Sequence, residues 1–177
     1  ENKNIANDMQ KFYDDWWEDA SKEFRYSYID IFPNISNTIT AHDVQVNSIT
    51  AWDQSVVRRG VPYELGKFNV DFKKSGEYKI TLRRWPKESK LNLRDSINDY
   101  IPARKYWDQQ ASGKSMNIAS AFIKIGDKQY NIDLSNNLKS ATININIDSG
   151  KTSLEPAFIL DNGQTSVVFY TDIDFLF

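Results

Sequence analysis

The chain has 177 residues, 40% hydrophobic and 14% aromatic, enough for one domain with a substantial core, or one domain with a helical appendage. Its 22 Lys and Arg against 24 Asp and Glu leave a net charge of −2, which recruits neither nucleic acid nor an anionic membrane. The absence of cysteine excludes thiol catalysis, thiolate metal sites and disulfides, and a single histidine, His42, excludes any two-histidine metal centre.

The chain opens Glu1-Asn-Lys-Asn4, with no signal peptide and no initiator methionine, and reads as a processed form or an excised fragment. No apolar run approaches the roughly 20 residues that span a bilayer. Residues 4–24 are predicted to form an amphipathic helix, because Ile5, Met9, Phe12, Trp16, Ala20 and Phe24 recur every three or four positions. Asn4 is its expected N-cap, and Asp14, Asp15, Glu18, Asp19 and Glu23 fall outside the apolar stripe. A stripe this aromatic is expected to pack on something, either the following domain or a missing one.

Past the Ser/Asn/Pro-rich loop at 33–38 the period changes to two. Thr38–Val44 is predicted as a strand with His42 beside Thr40, followed by an irregular stretch at 45–66. Lys67–Lys73 alternates with Phe68, Val70 and Phe72 inward, and Ser75-Gly76 is expected to turn it into a hairpin with Tyr78, Ile80 and Leu82. The strand then runs into Arg83-Arg84-Trp85-Pro86, where proline has no N–H to give a sheet. Strict alternation sends Arg84 inward, to be buried and paired, and sets Arg83 and Trp85 outward.

Residues 87–117 are polar and charged, with Tyr100, Pro102, Tyr106 and Trp107 among them, and a connection this long is usually functional or carries a short helix. Strands resume at Ala119–Ile125, turn at Gly126-Asp127 into Lys128–Leu134, and continue at Ala141–Ile147, Ser153–Leu160 and, after Asn162-Gly163, Thr165–Phe177. The fold class expected from this pattern is mainly β, an antiparallel β-sandwich or jelly roll with one N-terminal amphipathic helix. The division is residues 1–28 as helix and linker and 29–177 as the sandwich.

Catalytic patterns are missing. There is no Gly-x-Ser-x-Gly elbow, no glycine-rich phosphate loop, and His42 is the sole histidine for any Ser-His-Asp site. Asp172 and Asp174 share a strand face, a geometry open to glycosidase chemistry or calcium but common on exposed sheets. The richer set is aromatic and cationic. Trp and Tyr stack on sugar faces, and Arg forks hold charged substituents. The candidate ligand contacts are His42, Trp52, Gln54, Arg58, Arg59, Arg84 and Trp85, with loop buttressing as the alternative role.

These residues carry a resemblance. The chain resembles the C-terminal non-catalytic extension of bacterial arylsulfatase-like proteins of the Bacteroidetes type. The resemblance rests on Trp16-Trp17, Thr40-Ala-His-Asp43, Trp52-Asp-Gln54, Arg58-Arg-Gly60, Gly76-x-Tyr78, Leu82-Arg-Arg-Trp-Pro-Lys-Glu88, Gly150-Lys-Thr-x-Leu154, Asp161-Asn-Gly163 and Val168-Phe-Tyr170, in order along nearly the whole chain. One departure is Val44, where the family often has Trp after His-Asp.

The resemblance implies an accessory domain of a sulfuric ester hydrolase that packs on an upstream sulfatase catalytic domain and helps to bind sulfated or other acidic glycan. It implies a periplasmic or secreted location. It implies no sulfatase activity for this chain alone: calcium and formylglycine would belong to the parent catalytic domain, with no cofactor here. The Pro102-Ala-Arg104 frame follows Tyr100 rather than Cys or Ser and is coincidental, and the Asn34-Ile-Ser36 sequon is idle in a bacterial protein. The alternatives are an independent carbohydrate-binding module, expected to show Trp52, Trp85 and Trp107 as an exposed platform, and a purely structural domain.

Overall fold

The computed structural model describes residues 2–22, 27–46, 51, 53–105, 109–110, 112–134 and 139–177. Helix α1 spans Lys3–Ser21. Strands β1 (Ile29–Ile31) and β2 (Asn37–Thr40) follow, then the short helix α2 (Gln54–Arg58). The remaining strands are β3 (Phe68–Phe72), β4 (Gly76–Arg83), β5 (Ile118–Ile125), β6 (Lys128–Asp133), β7 (Ala141–Ile147), β8 (Gly150–Leu160), β9 (Thr165–Val167) and β10 (Tyr170–Phe175).

The strands form two sheets. One runs β1-β3-β8-β5-β6, with β9 also paired to β8, and the other runs β2-β10-β4-β7. The β1–β3 ladder is parallel, and the remaining ladders are antiparallel. The chain is therefore a β-sandwich with one N-terminal helix. Alternation builds its core directly. Phe68, Val70, Phe72, Ile123 and Phe158 of one sheet, with Ile39, Tyr78, Ile80, Leu82 and Ile173 of the other, are 0–2% exposed. One edge of β8 is shared, since residues 150–154 pair with β3 and 157–159 with β9. Pro156, which has no N–H for a ladder, stands in the gap between them.

Three expectations about the strands need correction. Ser75-Gly76 does not close a hairpin: β3 lies between β1 and β8, and β4 lies between β10 and β7 in the opposite sheet. The turn carries the chain across the core, where the Phe72 and Tyr78 rings meet edge-to-face at 5.0 Å. The strand expected over 38–44 stops at Thr40. The Asp43 carboxylate accepts from Thr40 N at 3.0 Å and Thr40 Oγ at 2.9 Å, which coils Ala41–Asp43 into a single 3-10 turn. His42 thus leaves the strand face. The expected 165–177 strand breaks at Val168 and Phe169, where the chain passes from β9 in one sheet to β10 in the other, with both residues buried. The hairpin at Gly126-Asp127 does form, joining β5 to β6.

The helix begins one residue before the expected start, with Asn2 rather than Asn4 at its N-cap position and no side-chain cap. Its aromatic stripe is not packed. None of its residues is buried, and Ile5, Met9, Phe12 and Trp16 are 58%, 68%, 74% and 52% exposed. Phe24 lies outside the described residues. Among the described residues no helix is long and apolar enough to cross a membrane.

Candidate functional site

The site begins where β4 ends. Arg83 continues the outer face of the second sheet, diagonal to Asp172 of β10, and is buried there rather than solvated. Its Nε and one Nη donate to the two Asp172 oxygens, both at 2.8 Å, and its other Nη donates to Trp85 O at 2.8 Å. Thr38 Oγ donates to the same carboxylate at 2.7 Å. Burial works to raise the Asp172 pKa, but the hydrogen bonds from Arg83 and Thr38, with the charges of Arg83 and Lys87, hold it below the usual carboxylate range. Both Asp172 oxygens are committed, so the Asp172/Asp174 face offers no carboxylate pair.

Arg84 takes the inward phase and is fully buried. Its guanidinium meets carbonyl groups rather than a carboxylate. It donates to Val57 O at 3.0 and 3.3 Å, Lys114 O at 2.7 Å, Asp95 O at 3.0 Å and Leu93 O at 3.5 Å. It also lies 4.4 Å over the Trp85 ring. Burial brings its pKa down to about 10, opposed by the nearby Asp95 charge. Trp85 was expected to face outward; it is 4% exposed and is no sugar platform. Pro86 turns the chain off the sheet and the indole folds back under Arg84.

Those carbonyls belong to two segments that sequence distance hides. One is α2, started by Asp53, whose Oδ1 accepts from Ser55 N at 2.5 Å. The Ser55 hydrogen bonds hold Asp53 below the usual range, against the effect of burial. The other is the 87–117 connection, which carries a 3-10 turn at Lys87–Ser89 and a bridge between Ile101 and Gln110. Lys114 N donates to Arg58 O at 2.8 Å, and Arg58 Nη2 donates to Asp99 O. At Gly60 (φ +63°) the two walls touch backbone to backbone: a Cβ there would lie 2.4 Å from Ser115 O and 2.8 Å from Lys114 O.

Between the walls lies a cleft of about 510 Å³, lined by Ser55, Arg58, Arg59 and Val61 on one side and Gln109, Gln110, Ser112 and Lys114 on the other. That volume is in the range of small-ligand sites. Its described lining holds three cationic side chains and no carboxylate, in a chain of net charge −2. It also holds no histidine. Amides, hydroxyls and cations suit binding of a polyhydroxylated anion.

Of the candidate contacts, Arg58 and Arg59 share this cleft, Arg58 buried and Arg59 exposed. His42 and Gln54 lie on the other flank of α2, in a cavity of about 190 Å³ with Thr40, Asp53 and Tyr170. Arg84 and Trp85 sit beneath both walls, closed to ligand, and Trp52, Tyr106 and Trp107 lie outside the described residues. The site residues that the motifs missed are Ser55, Gln109, Gln110, Ser112 and Lys114. For the last four the one sequence signal was the length of the 87–117 connection.

Fold and cleft together define a β-sandwich with a cationic groove at the end of one sheet. No family model and no curated protein matches the chain. Among solved structures it is similar to CBM35 from Cellvibrio japonicus Abf62, at 10% identity and a TM-score of 0.36, over 65% of this chain and 68% of that one. That likeness is too loose to argue from, and function rests on the groove.

Proposed function

We propose that this chain is a non-catalytic carbohydrate-binding β-sandwich that holds an acidic glycan in the cleft between α2 and the 87–117 connection. The observation that supports this is the described lining: Arg58, Arg59 and Lys114 with two glutamines and two serines, and no carboxylate among these residues. Amide and hydroxyl groups meet sugar hydroxyls, and the cations meet a sulfate or carboxylate substituent. A glycan array printed with matched neutral, uronic and sulfated oligosaccharides tests it. Acidic glycans are expected to bind, more weakly as salt rises. Loss of one charge-assisted contact in Arg59→Gln or Lys114→Gln costs about 1.5–3 kcal/mol, roughly 10- to 150-fold in Kd. Absence of binding to every glycan sinks the reading.

The exposed stripe of α1 favours a second, compatible reading. The chain would be an accessory domain of a secreted or periplasmic sulfatase-like hydrolase, docked on the catalytic domain through Phe12 and Trp16, which are 74% and 52% exposed. Glycan binding by the joined protein but not by this chain selects the accessory reading. Hydrolysis of an aryl sulfate by the purified chain would overturn the non-catalytic assignment in both.

A further inference from the structure

We infer that Arg84 is the positioning residue that sets the width of the cleft, although it never touches the ligand. The inference rests on the reading of the cleft as a binding site. The two walls come from segments far apart in sequence, and among the described residues no ladder of strand hydrogen bonds runs between them. Beside the Lys114 N–Arg58 O and Arg58–Asp99 O bonds, Arg84 ties the walls through several main-chain atoms at once. One guanidinium edge donates to Val57 O, beside cleft-lining Arg58, and the same Nη reaches Lys114 O at 2.7 Å, itself a residue of the opposite wall. The other Nη holds the start of the long connection at Leu93 O and Asp95 O.

A planar fork with five donors can span three segments at once, whereas an ammonium presents its donors from a single point. Arg84 is also the largest fully buried side chain among the described residues, and with the Asp95 charge nearby its guanidinium still spends its hydrogen bonds on main-chain carbonyls. Its role differs from that of Arg83, whose guanidinium is spent on Asp172 within the sheet.

Because the chain is free of cysteine, Gln54→Cys on α2 and Ser115→Cys on the loop wall can be spin-labelled without background. Electron-spin distance measurements then report the separation of the walls with no ligand present. In Arg84→Lys the distance distribution is expected to broaden, and affinity for an acidic oligosaccharide to fall at least tenfold, while the circular dichroism of the sandwich is kept. In Arg84→Ala, added ethylguanidinium should narrow the distribution again, and ethylammonium at equal concentration should not. Ile145→Val, a small core loss on β7, serves as the control for lowered stability.

A native distribution and native affinity in Arg84→Lys overturn the inference, as does a broadening that Ile145→Val reproduces. If the native chain binds no acidic glycan yet the walls spread in Arg84→Lys, the glycan reading fails and the assignment of Arg84 stands.

Discussion

Replacing Asp172 by Asn removes one charge and keeps the shape. In the native chain both carboxylate oxygens accept from Arg83 at 2.8 Å, Thr38 donates at 2.7 Å, and Lys87 stands at 3.4 Å. The Asp172 side chain is 1% exposed and that of Arg83 10%, so the Asn variant leaves a guanidinium buried against a neutral amide. Breaking a buried pair from one side costs about 3–5 kcal/mol. Lys87, 56% exposed, adds little to that figure. For a chain of this length each kcal/mol moves the melting temperature by about 2–4 °C, so the expected drop is roughly 6–20 °C.

The pH dependence supplies the sign. The folded Asp172 pKa lies below its unfolded value, so its stabilisation is fully present above the unfolded pKa and is lost as pH falls through the folded one. Thermal melts of native and Asp172→Asn chains should differ widely near neutrality, and the gap should narrow as pH falls below the usual carboxylate range. A gap that is small at neutral pH, or that stays constant into acid, refutes the assignment of the pair.

Three further outcomes follow from the packing. Gly60→Ala puts a Cβ into the Ser115 and Lys114 carbonyls at a left-handed φ, and urea unfolding should show a loss of about 2 kcal/mol or more. Tyr78→Phe removes the hydroxyl that donates to Lys74 O at 2.6 Å but keeps the ring between Phe72 and Phe175, costing about 1 kcal/mol, whereas Tyr78→Ala should cost about 3–5. Deleting residues 2–21 should leave the melting of the sandwich within about 0.5 kcal/mol of native, since no α1 residue is buried; a larger loss means the helix packs on the sandwich in solution.

The strands were legible where one face is wet. In Phe68–Phe72 every second residue is buried, in Ala141–Ile147 every second residue is buried or, at Ile143, half-buried, and the period of two was plain. Which strand meets which was not. Nothing local tells Ser75-Gly76 whether to fold back or cross the core, because the same apolar phase serves either partner sheet. The phase argument placed Arg84 inward and Arg83 on the outer face, but it missed that this outer face is closed over Arg83, and it failed for Trp85. An outer sheet face can still be closed, here by the Asp172 pair and by the chain turning at Pro86. The cleft was least legible, because its walls join residues 55–61 to 109–114 through backbone contacts that no side-chain motif encodes.

The place of β10 governs how the chain can fold. It is the last strand in sequence, yet it lies between β2 and β4 in its sheet. Until it docks, β2 has no sheet partner and the inner face of β4 is open on one flank. Most strand neighbours in this chain are distant in sequence, which places it among slow-folding topologies. During synthesis β10 emerges after both strands it pairs with, so Ile39, Ile80 and Leu82 stay bare on that flank until it docks. Losing the final eight residues would therefore leave two open sheet edges and an exposed core, rather than a shortened sandwich.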